Sequence, residues 1–129
     1  MSDPAAPAQT VNHQQRLAAR PQGLPGPECW QFTQEPVPVA PEGGIVVRVR
    51  ALSLDPAMRG WMNEGRSYIP PVGLGEVMRA GGVGTVVASR HSGFAVGDRV
   101  SGGTGVQEWW AGDAKAVQRA GFAKIDLAL

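Results

Sequence analysis

The sequence contains few of the residues that build disulfides and metal sites. Its single cysteine, Cys29, has no second cysteine with which to form an internal bridge, and the two histidines, His13 and His91, are far apart in the chain. No spacing of these residues resembles a zinc site. The sequence therefore argues against a disulfide-stapled secreted fold, predicts no metal site and favours a reducing, cytoplasmic setting.

Long apolar runs and an excess of charge are also missing. No stretch approaches the roughly 18 apolar residues of a membrane helix, and the opening MSDPAAPAQT lacks the basic start and apolar centre of a signal peptide. Twelve basic residues, scattered along the chain, stand against eleven acidic ones. The sequence thus predicts no membrane and no nucleic acid as partner, and residues 1–9 are expected to form a frayed tail.

Glycine and proline, in contrast, are abundant. The chain has 18 Gly and 11 Pro in 129 residues, about 22% against roughly 12% in average usage. Such a chain turns often, which favours short strands over long helices. The length suits one domain, assigned to residues 10–129, and is too short for two.

The clearest strand is GGIVVRVRALSL, in which apolar residues alternate with arginines towards the end. Other strands are predicted in TVNHQQRLAARP, CWQFTQEPVPV, RVSGG, GVQEWWAGD and KAVQRA, and around Val83 to Ala88. Trp109 and Trp110 would point to opposite faces of their strand, and Gly97-Asp98 would form the turn before a buried Val100. Strands spaced in this way predict a barrel or a sandwich rather than a βαβ unit.

One connection, LSLDPAMRGWM, places large apolar side chains where water would normally meet them. Asp55 and Pro56 predict the start of a turn or a short helix, since Asp can cap and Pro suits the first helical position; the segment has room for about two turns, interrupted by Gly60. The apolar side chains of this connection could be ordinary core, or they could line a pocket for an apolar substrate. Tyr68 follows in a proline-stiffened loop, where its phenol could add one polar contact to such a pocket, although a loop tyrosine more often serves packing.

Two other interpretations are weaker. GGVGTVV and GGTGVQE contain G-x-G, but Val87 and Glu108 occupy the place of the third glycine of a dinucleotide fingerprint, so bends or bulges in strands are favoured. A hydrolase triad of His91, Asp98 and Ser101 lacks the G-x-S-x-G elbow. Neither nucleotide binding nor hydrolysis is therefore predicted from these residues.

Three segments resemble a known family. LSLDPAMRGWMNEGRSYIPP, GEVMRAGGVGTVVASRH and FAVGDRVSGGTGVQEWW are similar, in order and spacing, to the N-terminal part of zinc-independent medium-chain dehydrogenases/reductases, in particular the NADPH-dependent alkenal/enone reductases. The resemblance runs from about Gln15 to the end of the chain. It implies a mainly β, GroES-like fold, a partly open barrel with one or two short helices, set against a Rossmann domain that carries NADPH.

The resemblance also implies an activity and a site. Members of this family reduce the C=C bond of α,β-unsaturated ketones or aldehydes, so the expected substrate is a small apolar enone or alkenal. Tyr68 matches a pocket tyrosine that hydrogen-bonds the substrate carbonyl. The expected substrate and nicotinamide pocket consists of Asp55, Pro56, Ala57, Met58, Arg59 and Met62. Ala57 stands where relatives usually have tyrosine, which implies a wider pocket.

The sequence ends at Leu129, before the region in which such reductases continue into the Rossmann domain and return to complete the barrel. The chain by itself is therefore expected to lack bound NADPH and to need a Rossmann domain in the same or another chain. The alternative is a stand-alone GroES-like module that binds a partner or a small ligand without catalysis.

An incomplete barrel would expose apolar surface and strand edges, which promote dimerisation or higher self-association. We predict that the 129-residue chain elutes as a dimer or larger species when its mass is measured by light scattering after size-exclusion chromatography. A monomer with ordinary thermal stability at all concentrations would contradict this prediction.

Overall fold

The structure is a computed structural model that describes residues 11–65 and 69–119. Seven strands and one α-helix occur in these residues. The expected tail at residues 1–9 and the candidate catalytic residue Tyr68 lie outside them. The strands are β1 Val11–Leu17, β2 Trp30–Pro36, β3 Gly44–Leu52, β4 Gly81–Ser89, β5 Arg99–Gly103, β6 Trp109–Asp113 and β7 Val117–Arg119, the helix is α1 Ala57–Trp61, and 3-10 turns occupy Pro27–Cys29 and Ala114–Ala116.

The strands form two antiparallel sheets. β1 pairs with β2, and five strands form a curled sheet in the order β6-β3-β4-β5-β7. The curled sheet stays open as a half-barrel, because its edge strands β6 and β7 do not pair with each other. The expected mainly β, partly open GroES-like fold with few helices is confirmed.

Strand β3 lies at the centre of the fold and is buried on both faces at its start. Ile45 and Val47 are fully buried with Val86 and Val100, as the alternation predicts. Val46 is also buried, because Trp109 covers the opposite face. The pairing with β4 shifts register twice, so the strict alternation expected from the sequence does not continue to the end of the strand.

The glycines of GGVGTVV serve the sheet rather than a nucleotide. A Cβ at Gly84 would collide with the backbone carbonyl of Arg48 on β3, and one at Gly82 with the side chain of Thr104. These glycines therefore permit the close approach of neighbouring strands. The predicted turn before Val100 is confirmed: Gly97 has a φ of 99° and its N–H donates to Val86 O at 2.8 Å.

The two adjacent tryptophans lie on opposite faces of β6, as predicted. Trp109 is buried against Val46 and Ala40, whereas Trp110 is half-buried and packs against the cluster of Ile45 and Val47 on the other face. Both rings therefore contact the core. The second ring is covered because the first half of β3 is buried on both sides.

A buried asparagine joins the small sheet to the large one. The amide nitrogen of Asn12 on β1 donates to Trp109 O at 3.1 Å and to Gln107 Oε1 at 3.0 Å. Its oxygen accepts from the N–H groups of Glu108 at 3.1 Å and Trp109 at 3.0 Å. Only 2% of Asn12 is exposed. The side chain thus acts as a strand partner for the start of β6.

We predict that Asn12→Ala destabilises the fold by about 2–4 kcal/mol, since it removes four hydrogen bonds and leaves buried backbone groups of β6 without partners. Urea unfolding followed by tryptophan fluorescence measures the loss. Gln31→Ala, at an exposed position of β2, is the matched control and should change stability by less than about 0.5 kcal/mol. Equal effects of the two variants would contradict the proposed role of the buried amide.

Candidate active site

The connection after β3 forms a single short helix. Asp55 lies just before the helix and forms an Asx turn, because its Oδ1 accepts from the N–H of Ala57 at 2.8 Å. Pro56 occupies the N-cap position and not the first helical position that the sequence suggested. Helix α1 includes Gly60 but ends one residue later, with i to i+3 bonds from Met62 to Arg59 O and from Asn63 to Gly60 O. The helix is therefore shorter than the two turns expected.

The apolar side chains of this connection divide between core and surface. Met62 is 3% exposed and belongs to a cluster with Leu17, Cys29, Val72 and Met78. The half-buried Met58 and Trp61 pack against the same cluster. Much of the apolar surface that suggested a pocket in the sequence thus belongs to the hydrophobic core. Met62 in particular faces other protein side chains.

The beginning of the connection, in contrast, is open to solvent. Asp55, Pro56 and Ala57 are exposed, and Leu54 just before them is 85% exposed. These residues therefore provide the accessible part of the expected pocket. Because Ala57 carries only a methyl group, its side chain protrudes little from this exposed surface.

Arg59, another residue of the expected pocket, is bound to the protein itself. Its Nε donates to Gly23 O at 3.0 Å and its Nη2 to Pro21 O at 3.3 Å. Its Nη1 donates to Asn63 Oδ1 at 2.6 Å. The guanidinium thus fastens the loop before β2 onto α1, which is a structural role that the sequence did not indicate.

A cleft with both polar and apolar lining residues lies elsewhere in the molecule and was not predicted. It has a volume of about 580 Å³ and lies between the β1–β2 ribbon and the second half of β3. Contributing side chains include His13, Phe32, Gln34, Arg48, Arg50 and Glu108. A smaller cavity of about 380 Å³ is lined by residues of β3, β4 and β5 and by Ser53. Among the described residues of the expected site, Asp55 to Arg59 and Met62, none lines either one. The cleft could not be read from the sequence because its walls come from segments distant in the chain.

Glu108 makes the charged contacts within this cleft. Its carboxylate accepts from the His13 N–H at 3.0 Å and lies 2.6 Å from His13 Nδ1, while Arg48 is 3.9 Å away. Partial burial acts to raise the pKa of Glu108, but the hydrogen bonds and charge of His13, together with Arg48, outweigh it and lower the pKa below its ordinary value. The guanidinium of Arg48 also lies 4.7 Å from the centre of the Trp109 ring.

Residues 11–65 and 69–119 contain no group of three or more His, Cys, Asp or Glu side chains arranged to hold a metal ion. No helix in the same ranges is long and apolar enough to span a membrane.

Comparison with known proteins identifies the class of this domain. Residues 13–120 match the family described as the N-terminal domain of oxidoreductase. The chain is 44% identical over 93 residues to the NADPH-dependent curcumin reductase of Escherichia coli. The aligned region covers 72% of this chain and 27% of that protein. The chain therefore belongs to the family of N-terminal domains of medium-chain oxidoreductases.

Solved structures give the same result. The crystal structure of CurA from Vibrio vulnificus is 38% identical, with a TM-score of 0.79 over 88% of this chain and 34% of that one. CurA from the same organism in complex with NADPH is 43% identical, with a TM-score of 0.75 over 79% of this chain and 30% of that one. The chain thus spans about a third of the length of these relatives.

We predict that the free energy of unfolding decreases in acid as Glu108 becomes protonated. The pKa of Glu108 is lower in the folded state than in the unfolded chain. Glu108 therefore adds to the free energy of unfolding above the ordinary pKa of a glutamate, roughly pH 4, and this stabilisation is lost as the pH falls through the folded pKa. The pair is largely exposed, so the loss should be about 1 kcal/mol or less. In Glu108→Gln, thermal unfolding scans should show a lower Tm at pH 7 and a smaller further loss between pH 5 and pH 3.

Glu35→Gln, which changes an exposed carboxylate on β2, serves as the control and should keep the acid dependence of the unaltered chain. If Glu108→Gln and the unaltered chain lose stability in parallel as the pH falls, then Glu108 has no lowered pKa in the folded protein.

Proposed function

We propose that this chain is the substrate-side domain of a cytoplasmic, NADP-dependent oxidoreductase that reduces the C=C bond of α,β-unsaturated ketones or aldehydes. The observation that carries the proposal is the similarity, at 43% identity over 79% of the chain, to a reductase structure that contains NADPH. The 44% identity to a curcumin reductase supports the same class of substrate, a conjugated enone.

The described residues do not fit the diphosphate of the cofactor. Phosphate-binding glycines leave backbone N–H groups facing a ligand, whereas Gly82 and Gly84 lie inside the sheet and contact neighbouring strands. The proposal therefore places the main NADPH site in a Rossmann domain, in the same chain or another. The part of the cofactor left for this domain is the nicotinamide, at the exposed start of α1.

The chain's own residues would bind and polarise the enone. NADPH, when bound, supplies the hydride that adds to the β-carbon of the alkene. The negative charge then develops on the carbonyl oxygen, and a hydrogen-bond donor at that oxygen lowers the barrier. Tyr68 is our candidate donor, and the exposed residues Asp55, Pro56 and Ala57 would form the adjoining wall. A proton taken from water forms the α-C–H bond and completes the reduction.

Exposed apolar side chains support the expected self-association. Leu24 is 93% exposed, Val39 83% and Phe32 74%, and all three lie in or next to the β1–β2 ribbon. Surface of this kind favours contact with a second copy or with the remainder of the reductase.

We predict that Tyr68→Phe, in the reductase that contains the whole chain and its Rossmann domain, lowers the rate of enone reduction by about 10- to 1000-fold. The change removes one hydroxyl and little volume, and the loss is that of one oxyanion donor. The measurement is NADPH oxidation at 340 nm with a small enone as substrate.

Thr33→Val is the control, because it removes a hydroxyl on β2, outside the proposed pocket, that donates to Gln14 Oε1 and accepts from Arg16 Nε, each at 3.3 Å. Its rate should stay within about twofold. An unchanged rate in Tyr68→Phe would mean that Tyr68 is a residue of the pocket wall and not the hydrogen-bond donor. Absence of any NADPH-dependent enone reduction by the unaltered enzyme would contradict the proposed function and favour the non-catalytic binding module.

A further inference from the structure

The smaller cavity, about 380 Å³ in volume, adjoins the connection between β3 and α1. Its lining includes Ser53, the first residue after β3, which lies two positions before Asp55. The Cα atoms of residues so close in the chain are at most about 7 Å apart. A molecule bound at the exposed start of α1 can therefore extend into this cavity.

The cavity lies over one face of the curled sheet, where the side chains are small. Ala51, Val83 and Ser101 line it and are directly opposite one another across β3, β4 and β5, so their side chains share this face. Gly81, two residues before Val83 on β4, belongs to the same face and adds no side chain to it. The floor of the cavity is therefore low.

The glycine at position 81 leaves part of this space empty. Apart from the chain neighbours of Gly81, a Cβ built there would have one atom within 4 Å, Ser53 Cβ at 3.9 Å. The φ of Gly81 lies outside the left-handed region, so its backbone does not require glycine. At Gly82, in contrast, a Cβ would collide with Thr104. The packing of the sheet accounts for Gly82 but not for Gly81.

The lining indicates an uncharged and flat ligand group. None of the described residues that line the cavity has a charged side chain, and the only polar side chains among them are those of Ser53 and Ser101. The volume, about 380 Å³, lies in the lower part of the usual range for small-molecule pockets, roughly 300–1,000 Å³. Leu54, which connects Ser53 to Asp55, is an exposed apolar residue. An apolar ring fits this lining.

We propose that the smaller cavity binds an aryl substituent on the β-carbon of the enone, and that the missing side chain at Gly81 makes the domain selective for aryl-substituted enones. The inference rests on the proposed function, in which the enone reacts at the exposed start of α1. Binding removes the apolar surface of the ring from water, which raises kcat/KM only for substrates that carry a ring. The cavity takes no part in the chemical step.

The first test uses the complete reductase and two substrates, 4-phenylbut-3-en-2-one and but-3-en-2-one, which differ in the phenyl ring. Gly81→Leu fills the cavity, so the ratio of kcat/KM for the phenyl-bearing enone to that for the small enone should fall by about 10- to 100-fold. Effects on the chemical step that both substrates share cancel in this ratio. Ser101→Leu, which fills the cavity from β5, should lower the ratio in the same direction.

Val87→Leu is the matched control. Val87 is an exposed residue of the same strand and does not line the cavity. It lies six residues beyond Gly81, which corresponds to roughly 20 Å along a strand. This variant should keep the ratio within about twofold of the unaltered value. An unchanged ratio in both Gly81→Leu and Ser101→Leu, or an equal fall in Val87→Leu, would overturn the proposal.

The second test uses the chain alone and needs neither cofactor nor activity. The saturated ketone 4-phenylbutan-2-one is titrated into the ¹⁵N-labelled chain. We expect the amide signals of Gly82, Val83 and Gly102 to shift, with a Kd of roughly 1 to 10 mM for a ligand of this size. Gly81→Leu should remove these shifts, and Val87→Leu should keep them.

The two tests distinguish the failure of this inference from the failure of the proposed function. If the unaltered reductase reduces neither enone, the proposed function is wrong, and the amide shifts alone decide whether the cavity binds an aryl ketone; their absence then overturns the inference as well. If the reductase is active, the ratio of kcat/KM decides. Amide shifts together with an unchanged ratio would mean that the ketone binds without serving the reaction, which overturns the proposal.

Discussion

The organisation of this domain depends on the hydrogen bonds of one buried side chain, the amide of Asn12. The segment that enters β6 has to pass from the ribbon of β1 and β2 to the large sheet, where it pairs with β3. At this crossing, the backbone N–H and carbonyl of Trp109 bond to the Asn12 amide, and the N–H of Glu108 is shared between Asn12 Oδ1 and His13 O. The ribbon is thereby fixed against the sheet, and the cleft between them takes its shape.

The candidate active site depends on a second kind of contact, the bond between an arginine and a backbone carbonyl. Arg20 donates to Met62 O at 2.9 Å, Arg59 to Gly23 O and Arg79 to Pro70 O. Such charge-assisted bonds are directional, so they define the position of α1 although the helix buries none of its residues. The helix can therefore leave its first residues exposed to solvent while its position stays defined.

The fold could be largely predicted from the sequence because its signals are local. Alternation in IVVRVRA marks β3, the Gly97-Asp98 pair marks a turn, and Asp55 marks the start of α1. Helix α1 is shorter than predicted, and the sequence did not predict the burial of Val46. The length of the helix and the burial of Val46 both depend on neighbouring residues that the sequence does not identify. The packing of Met62 with Leu17 and Cys29 in the core also depends on segments distant in the chain.

By itself the sequence determined the family, the strand content and the set of residues near α1, because propensity, turn chemistry and motif order are properties of short segments. Only the tertiary structure decided which side chains serve the fold and which remain open. Arg59 and Arg79 are bound to backbone carbonyls, Glu108 pairs with His13, and Ala57 faces solvent. The physical reason is that hydrogen-bond partners and burial come from residues far apart in the chain, and folding alone brings them within reach.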